Sequence, residues 1–450
     1  MFTPFETPFD QLTGRDLGRL RDTPEGWYVE YKRELPNAAA IAKTISAFAN
    51  TYGGWLFIGI DEASRADAVA GSFPGLALAG ASSALQCIRQ AVSDHMNPAA
   101  HFEARALAGG DGAGFSDDRV VICVRVPQSP VAPHIHRSGK IYRRVGDGSE
   151  PENDRHMLDQ LFRRADDLKQ QYSDWLDRDP EFSQAEDKVP YLRLMVTVDP
   201  WQQEDPWLDV NVAELSELFN KSPPLMSAVP FDAIQTSERG YLARQVSTND
   251  PHLLGLSWQL RRSLTSDIIV PLRFSDGEMF DFLKGYEHAR RFRKLLHDRN
   301  FDSPRIVDLN MVYNLLVALV EIQRRLLDRA GWTKPYHVKA RLLNVWRTVP
   351  FLDIPEVLDE FETHGIPMCM NSIATAPLGR EPDSFAEIPQ FDETDEPGKI
   401  IWQAMVVFNQ VAQPWGIPTF PEEKLGGFLA SLSKAGTRAM QVQENARRDD

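Results

Sequence analysis

Hydrophobic positions in about the first 165 residues switch between two periods. A period of two residues predicts a strand, and a period of 3.6 residues predicts an amphipathic helix. The strand pattern occurs at residues 28–32, 55–60, 120–126 and 140–145, and the helix pattern occurs at residues 38–50, 82–96 and 153–170. This alternation of strands and helices is typical of an α/β domain.

Two of the predicted strands differ in their pattern. Residues 55–60 are an unbroken apolar run, which predicts a strand that is covered on both faces. Residues 120–126 alternate, with valine or isoleucine at every even position on one face and Cys123 and Arg125 on the other. The sequence therefore predicts one strand that is covered completely and one that has two distinct faces.

The remaining sequence predicts a second, α+β domain at residues 190–376. Its strand patterns lie at residues 192–198, 240–246, 256–260, 268–274 and 336–349, and its helix patterns lie at residues 279–296, 309–329 and 354–363. No chemical motif is visible in it. We expect the chain to divide into a first domain at residues 1–170, an acidic linker at 171–189, this second domain, an acidic and mobile loop at 377–398, and a C-terminal helical segment with a frayed tail at 399–450.

Amino-acid composition and cysteine spacing indicate where in the cell the protein is located. The 450 residues are 42% hydrophobic, which supports packed cores. Cys87, Cys123 and Cys369 are too far apart for a disulfide framework or a paired-cysteine zinc site. The N-terminal residues lack a basic start with an apolar core, and the apolar helix at 309–329 contains several polar and charged residues. We therefore expect a cytoplasmic protein without membrane spans.

The net charge of -15 argues against a nucleic-acid partner, because affinity for phosphates comes from clustered lysine and arginine. The charge is uneven, however. Residues 1–165 hold 18 Lys+Arg and 20 Asp+Glu, whereas the remainder holds 31 (49 − 18) and 44 (64 − 20). Within the first domain Arg137, Lys140, Arg143 and Arg144 form a local basic run. The alternative interpretation of this run is an ordinary solvated surface.

Acidic residues gather at the ends of the first two predicted strands. Glu30 and Lys32 point to the same face of the first strand because side chains alternate along a strand. Glu25 lies five residues earlier, and Pro24 and Gly26 predict a bend that could bring it beside Glu30.

The second strand contributes the third acid, because Asp61 and Glu62 follow its apolar run and either could join the first two. Convergent carboxylates suit Mg²⁺ or Mn²⁺, and Lys32 could balance the charge of a phosphate. The alternative interpretation is a surface ion pair between Glu30 and Lys32, with Glu25 in a turn and Asp61 and Glu62 ending a strand.

Three blocks of sequence extend this pattern. They are VEYKRE at 29–34, ISAFANTYGGWLFIGIDE at 45–62, and the segment from VRVPQS at 124–129 through PH at 133–134 to GKIYRRVG at 139–146 and Pro151. In content and separation they resemble the Schlafen-type AlbA domain, also called the divergent AAA domain, over about residues 10–165. The fold class expected on this basis is an α/β Schlafen/AlbA-like domain followed by an α+β domain.

The resemblance implies a nucleic-acid-binding domain and, as in animal Schlafens, a metal-dependent endoribonuclease acting on structured RNA such as tRNA. Matched by motif, the catalytic and metal-binding positions are Glu25, Glu30 and Asp61 or Glu62, with Lys32 as a catalytic cation. The expected phosphate contacts are Lys32, Arg33, Arg137, Lys140, Arg143 and Arg144. Glu62 replaces an aspartate of the family, the zinc site of animal members is missing, and one lobe is visible where animal proteins have two, so a homodimer is expected.

ATP is not an expected cofactor, because the sequence contains no Gly-x-x-x-x-Gly-Lys-Ser/Thr loop. The leading functional hypothesis is therefore an RNA-binding protein that cleaves RNA with Mg²⁺ or Mn²⁺, in stress or antiphage defence. The competing hypothesis is a non-catalytic DNA-binding regulator built on the same domain. A third is a protein-interaction scaffold that has no salt-sensitive affinity for nucleic acid.

Overall fold

A computed structural model describes residues 2–64, 68–202, 204, 206–221, 229–246, 253–276, 282–390, 396–417 and 422–449. The chain forms two compact units. The first comprises Met1–Trp175 and Trp201–Asp205, and the second comprises Leu176–Pro200 and Pro206–Asp450. Among the helices within these described ranges, none combines the length and hydrophobicity that crossing a membrane requires.

The first unit is mixed α/β. Its helices are α1 (Ala38–Asn50), α2 (Ala81–His95) and α3 (Arg155–Asp177), the last of which continues into the second unit. Its strands are β1 (Val29–Lys32), β2 (Gly54–Ile58), β3 (Asp61–Glu62), β4 (Ala70–Ser72), β5 (Leu76–Ala77), β6 (Met96–Asn97), β7 (Glu103–Ala108), β8 (Arg119–Val126), β9 (Ile135–His136), β10 (Tyr142–Val145) and β11 (Gly148–Pro151). Short 3₁₀ turns lie at Phe9–Gln11, Asp16–Asp22 and Leu78–Gly80.

A five-stranded sheet organises this unit. Strands β1 and β2 are parallel and are joined through α1, while β8 pairs antiparallel with β2, β5 and β7. The remaining strands form three two-stranded ladders, β3 with β4, β6 with β9, and β10 with β11. The parallel β1–α1–β2 unit places the ends of β1 and β2 at the same edge, because parallel strands run in one direction.

Apolar side chains cover both faces of the sheet, as the patterns predicted. Ile41 and Phe48 of α1 pack on one face with Ile122, and Tyr31 and Cys123 lie in the cluster on the other. Helix α1 matches its predicted range residue for residue, and the Asn37 side chain caps it by accepting the Ala40 N–H at 2.9 Å. The alternation of β8 is thus confirmed, because its even positions face α1.

Helix α3 is longer than its pattern predicted and reaches Asp177, inside the segment expected to be a linker. Leu161, Leu168, Tyr172 and Trp175 are buried at spacings of seven, four and three residues, which is helical periodicity. The acidic residues of this segment suggested a linker, but Tyr172 and Trp175 continue the buried face of the helix.

The second unit contains a large antiparallel sheet. Its helices are α4 (Val212–Asn220), α5 (Ala289–Asp298), α6 (Leu309–Arg329), α7 (Pro355–His364), α8 (Glu396–Ala412) and α9 (Glu422–Asp449). Its strands are β12 (Tyr191–Thr197), β13 (Ala233–Ser237), β14 (Gly240–Arg244), β15 (Ser257–Arg261), β16 (Ser266–Pro271), β17 (Phe274–Asp276), β18 (Arg305–Asp308), β19 (Tyr336–Leu343), β20 (Thr348–Phe351), β21 (Ile373–Ala376) and β22 (Ala386–Ile388).

The order of the eight-stranded sheet is β13-β14-β15-β16-β12-β19-β21, with β22 also pairing with β19. Strands β17, β18 and β20 form a separate three-stranded sheet. Helix α6 has the predicted bounds and is buried along most of its length, so it is a core helix as expected.

Several predicted elements of this unit are divided in the structure. The strand expected at 336–349 splits into β19 and β20 because Asn344 and Arg347 adopt positive φ angles of 57° and 54° between them. The strand expected at 268–274 splits after Pro271, which has no N–H to continue the ladder. The helix expected at 279–296 begins with Ala289 in its regular part, and residues 277–281 lie outside the described residues.

The acidic segment at 377–398 and the C-terminal tail contain more structure than predicted. Strand β22 lies within the first and pairs with β19, and residues 391–395 lie outside the described residues. Helix α9 continues through the expected frayed tail to Asp449. Both segments contain few hydrophobic residues, so their composition did not predict these elements.

Candidate nucleic-acid interface

The predicted bend before β1 is present. The Gly26 N–H donates to the Val29 carbonyl at 3.0 Å, which turns the chain back on itself. The Glu25 carboxylate consequently lies along β1, where it accepts a hydrogen bond from the Tyr31 N–H. The turn therefore places the Glu25 carboxylate against β1, the strand that carries Glu30.

The surroundings of Glu25 change its acidity. Burial raises the pKa of Glu25 to about 7, and the charges of Glu30 and Glu62 act in the same direction. The hydrogen bond from Tyr31 and the charge of Lys32 oppose the rise. Glu25 is thus a carboxyl group that changes protonation near neutral pH, which is uncommon outside functional sites.

Glu30 is buried between two cations. Its Oε1 lies 2.6 Å from Lys32 Nζ, and its Oε2 accepts a hydrogen bond from Arg144 Nη1. Arg144 is completely buried, also donates from Nη2 to the Gly26 carbonyl at 2.6 Å, and lies over the Phe48 ring at 4.8 Å. The Glu30–Lys32 pair agrees with the predicted alternation, and Arg144 completes a buried network.

Arg144, which was expected to contact phosphate, is instead fully buried and paired with Glu30. Strand β10 turns Tyr142 and Arg144 inward, and the guanidinium group is used to neutralise Glu30. Arg143, on the other face of β10, pairs with Glu152 at 2.5 Å and is largely buried. Neither arginine is an open contact for phosphate in this arrangement.

The two acids that follow β2 have different neighbours. Asp61 Oδ2 lies 2.7 Å from Nη1 of Arg33, so these two residues neutralise one another at the surface. Glu62 is exposed, and its charge contributes to the raised pKa of Glu25. The charge of Glu62 therefore acts on Glu25, whereas Asp61 is paired with Arg33.

The four predicted metal ligands, Glu25, Glu30, Asp61 and Glu62, are not arranged to bind a divalent cation in this conformation. Both oxygens of Glu30 contact cationic groups, and Asp61 contacts Arg33. Within the described ranges, no group of three or more acidic, histidine or cysteine side chains is arranged to hold a metal ion. Glu25 and Glu62 are oxygen donors of the type that Mg²⁺ and Mn²⁺ prefer, but two ligands alone do not complete the expected set.

Asn50 and Thr51, at the end of α1, have a structural role. Asn50 Nδ2 donates to the carbonyls of His134 at 3.0 Å and Tyr142 at 2.9 Å, and its Oδ1 accepts the His134 N–H at 2.7 Å. Thr51 Oγ1 accepts the Arg144 N–H at 2.9 Å. These bonds fix β10 against α1 and so place Arg144 on Glu30.

The glycine pair that follows has a packing reason. Gly53 has a φ of 76°, which side chains rarely adopt. A Cβ atom on Gly54 would lie 2.3 Å from the Phe48 ring. The pair therefore lets the chain turn tightly from α1 into β2 underneath Arg144.

Three other cations lie near Tyr142, the first residue of β10. Arg137 and Lys140 are exposed in the turn between β9 and β10, and Lys43 of α1 lies over the Tyr142 ring at 5.1 Å. The His136 N–H donates to the Lys140 carbonyl at 2.9 Å, and Lys43 is close enough to help lower the pKa of His136, although burial is the main cause. We call Lys43, Arg137 and Lys140 the basic cluster.

Lys43 was not among the predicted contacts. Its only signal in the sequence was a lone lysine between Ile41 and Ile45, on the part of α1 that is not fully buried. Its position beside β10 depends on contacts between residues far apart in sequence, which a local pattern does not show.

The pair His134 and His136 does not form a metal site. His134 Nδ1 lies 2.7 Å from the Pro98 carbonyl, whereas His136 Nδ1 lies 2.8 Å from Ser138 Oγ. Burial lowers the pKa of both imidazoles. The two rings therefore make separate local contacts.

Comparison with known proteins agrees with the motif blocks. Residues 25–153 match the family described as Schlafen, AlbA_2, which supports a Schlafen/AlbA_2-type domain and confirms the resemblance. Such a domain suggests nucleic-acid binding. No curated protein matches the chain. The DIP2311 protein of Corynebacterium diphtheriae is 12% identical to it, with 68% of this chain and 74% of that chain covered and a TM-score of 0.21, too low to support an argument about the fold.

Proposed function

We propose that the Schlafen/AlbA_2-type domain at residues 25–153 binds nucleic acid, with the basic cluster as its main phosphate contact. The observation that carries this proposal is the position of the cluster relative to the acids. Tyr142 lies beneath Lys43, and Arg144 binds Glu30 two residues further along β10. Because a strand advances about 3.3 Å per residue, the Cα atoms of Tyr142 and Arg144 are only about 7 Å apart.

The three cations of the basic cluster suit phosphate. In the described part of the chain, no carboxylate forms an ion pair with Lys43, Arg137 or Lys140. Each phosphate that is neutralised releases condensed counterions, so three contacts give a slope of log affinity against log salt of about −2 to −3. This local charge explains how an acidic chain can bind a polyanion.

Fluorescence anisotropy with labelled RNA and DNA oligonucleotides tests this proposal. Between 50 and 200 mM salt, the wild-type protein should lose affinity with about the slope given above. The double variant Arg137→Ala/Lys140→Ala should bind more weakly and with a slope that is smaller by about two. Lys434→Ala, an exposed lysine of α9, is the matched control and should bind like the wild type. An affinity that does not change with salt would contradict the proposal.

Comparison of the RNA and DNA oligonucleotides separates the two main hypotheses. We propose RNA as the ligand, because the family resemblance points to structured RNA such as tRNA. Tighter binding to double-stranded DNA, without cleavage of either nucleic acid, would favour the alternative of a DNA-binding regulator.

Cleavage of RNA is the second candidate function. The observation that favours it is the raised pKa of Glu25 beside Glu30 and Glu62, since a carboxyl group with a pKa near 7 can accept and return a proton at neutral pH. The acids in their present arrangement do not fit a metal, so the role proposed for Glu25 is proton transfer alone. Total tRNA incubated with the protein, with either ion or with a chelator, tests both points. Cleavage that persists in Glu25→Gln would exclude this site.

A homodimer is proposed as the working assembly, because one such lobe is visible in this chain and two-fold pairing is the commonest assembly. Light scattering of the full chain tests it, and a monomeric mass at the concentrations that bind RNA would exclude it. A role in stress or antiphage defence is proposed from the resemblance alone. Phage challenge of cells that express the wild type or the Arg137→Ala/Lys140→Ala variant tests that role.

A further inference from the structure

Four aromatic side chains lie together near the start of β1, and we call Phe2, Trp27, Tyr28 and Tyr52 the aromatic cluster. Phe2 stacks on Tyr28 with ring centroids 5.0 Å apart, and Tyr52 lies 6.0 Å from Trp27 and 6.2 Å from Tyr28. Trp27 and Tyr52 are 43% and 49% exposed. Large aromatic surfaces left open in a group mark a place where a ligand binds.

Arg144 holds both segments that carry these rings. Gly26, next to Trp27, accepts two hydrogen bonds from the guanidinium group, at 2.6 and 3.2 Å. Thr51, next to Tyr52, accepts the Arg144 N–H at 2.9 Å. Because one buried residue fixes both neighbours, the two exposed rings are positioned before any ligand arrives.

Positive charge lies next to Tyr52. Arg164 donates to the carbonyls of Asn50 at 3.3 Å and Ser129 at 2.9 Å, which places its guanidinium group beside the end of α1. Burial lowers the pKa of Arg164, and the charge of Arg143 lowers it further, so two guanidinium groups lie close together here. Arg143 is already paired with Glu152, so Arg164 is the cation that an anionic group beside Tyr52 would meet.

Exposed aromatic rings next to cationic groups suit an unpaired nucleotide best. Every nucleobase offers a π face to an aromatic side chain, and its phosphate is available to a neighbouring arginine. A base inside a continuous duplex is stacked on its neighbours and cannot offer that face.

We propose that Trp27 and Tyr52 stack against an unpaired base of the nucleic acid, so that single strands and loops are the preferred ligands of this domain. This inference rests on the proposed function. It adds the class of nucleic acid and a second contact region, separate from the basic cluster.

Anisotropy measurements on the full chain test the inference. The probes are a single-stranded RNA, a single-stranded DNA of the same sequence, and the corresponding duplexes. Trp27→Ala and Tyr52→Ala should weaken binding of the single strands by about 5- to 100-fold, as expected for the loss of one stacked base, and should change duplex binding by less than about 2-fold. Trp27→Phe should keep most of the affinity because it retains a ring.

Trp346→Ala is the matched control. Trp346 is also 43% exposed and lies in the second unit over Arg347, so its removal deletes the same side chain at the same exposure. It should leave binding unchanged. The salt slope provides a second measurement, since removing a stacked base takes away no phosphate contact and Trp27→Ala should keep the wild-type slope.

The outcomes distinguish the two proposals. If the wild type binds in a salt-dependent way and Trp27→Ala and Tyr52→Ala bind single strands as tightly as it does, the stacking inference is wrong and the proposed function stands. Equal losses for single strands and duplexes also overturn the inference. If the wild type binds none of the probes, both proposals fail.

Discussion

Arg144 donates a hydrogen bond to Glu30 across 114 residues of sequence, and the two side chains form a buried ion pair. The pair joins β10 to β1. Arg144 also binds the Gly26 turn through its guanidinium group and the Thr51 turn through its backbone N–H. A buried pair of this kind adds little stability compared with apolar residues, but removing one partner leaves a charge without compensation.

Replacement of Arg144 alone should therefore lower the free energy of unfolding of the first unit strongly. We expect Arg144→Met to destabilise the first unit by about 3–5 kcal/mol. The double variant Arg144→Met/Glu30→Gln should recover part of this loss, because it also removes the buried carboxylate, which would otherwise keep only Lys32 as a cationic partner. Hydrogen exchange of peptides from β1 and β10 in increasing urea measures both. Equal losses in the single and double variants would show that packing, and not charge, is responsible.

The acidity of Glu25 predicts a dependence of stability on pH. The pKa of Glu25 is raised from 4.5 to about 7, so the folded protein holds this proton more tightly than the unfolded chain does. Its contribution to stability is complete below pH 4.5 and is lost as the pH rises through about 7. Glu25→Gln is neutral at every pH and should therefore gain stability relative to the wild type between pH 5 and pH 8.

Urea midpoints at those two pH values measure this effect. Glu34→Gln, which removes an exposed acid from the same segment, is the control for the change in net charge. If Glu34→Gln and Glu25→Gln show the same pH dependence, the buried environment of Glu25 is not its cause.

Removal of the Asn50 side-chain amide should lower the stability of the first unit by an unusually large amount. Asn50→Ala would leave buried backbone groups of His134 and Tyr142 without their partners, and each such group costs about 1–3 kcal/mol. We expect a total loss of about 3 kcal/mol or more in the free energy of unfolding of the first unit. Asn37→Ala is the control, since it removes an exposed cap from the same helix and should cost about 1 kcal/mol. Similar losses for the two variants would argue against the role of Asn50 in anchoring β10.

Much of this arrangement could be predicted from the sequence because it depends on local periodicity. The bounds of α1 and α6 follow from apolar residues at helical spacing, and the predicted and observed ranges are identical. The pairing of Glu30 with Lys32 follows from the alternation of side chains along a strand. Each of these features is decided by residues that are near in sequence.

The remaining features depend on contacts between distant segments. Alternation showed that Arg143 and Arg144 point to opposite faces of β10, but not which face lies against α1. Pairing with Glu30 decides that, and a sequence pattern does not contain it. Likewise, Asp61 and Glu62 lie in a two-residue strand with an irregular register, so their directions follow from the pairing with β4 and not from spacing.

The second unit offers a test of how the C-terminal helix α9 is held. Arg438 of α9 donates to the buried carboxylate of Asp353 at 2.6 Å and also to Glu287. Asp353 additionally accepts the His288 N–H at 2.8 Å. Arg438→Ala removes the only arginine among these contacts, and a hydrogen bond to a buried charge contributes about 1.5–3 kcal/mol, so we expect local destabilisation of about 2–3 kcal/mol.

Hydrogen exchange of α9 peptides should therefore become faster in Arg438→Ala, while peptides of the first unit stay unchanged. Arg291→Ala is the matched control because Arg291 binds two carboxylates, Asp359 and Glu362, that are much more exposed. Exposed pairs contribute about 0–1 kcal/mol, since water and salt screen them. Faster exchange of α9 in Arg438→Ala alone would identify the buried carboxylate as the anchor of the helix, whereas unchanged exchange would mean that apolar contacts such as those of Leu432 and Ala435 hold it without the ion pair.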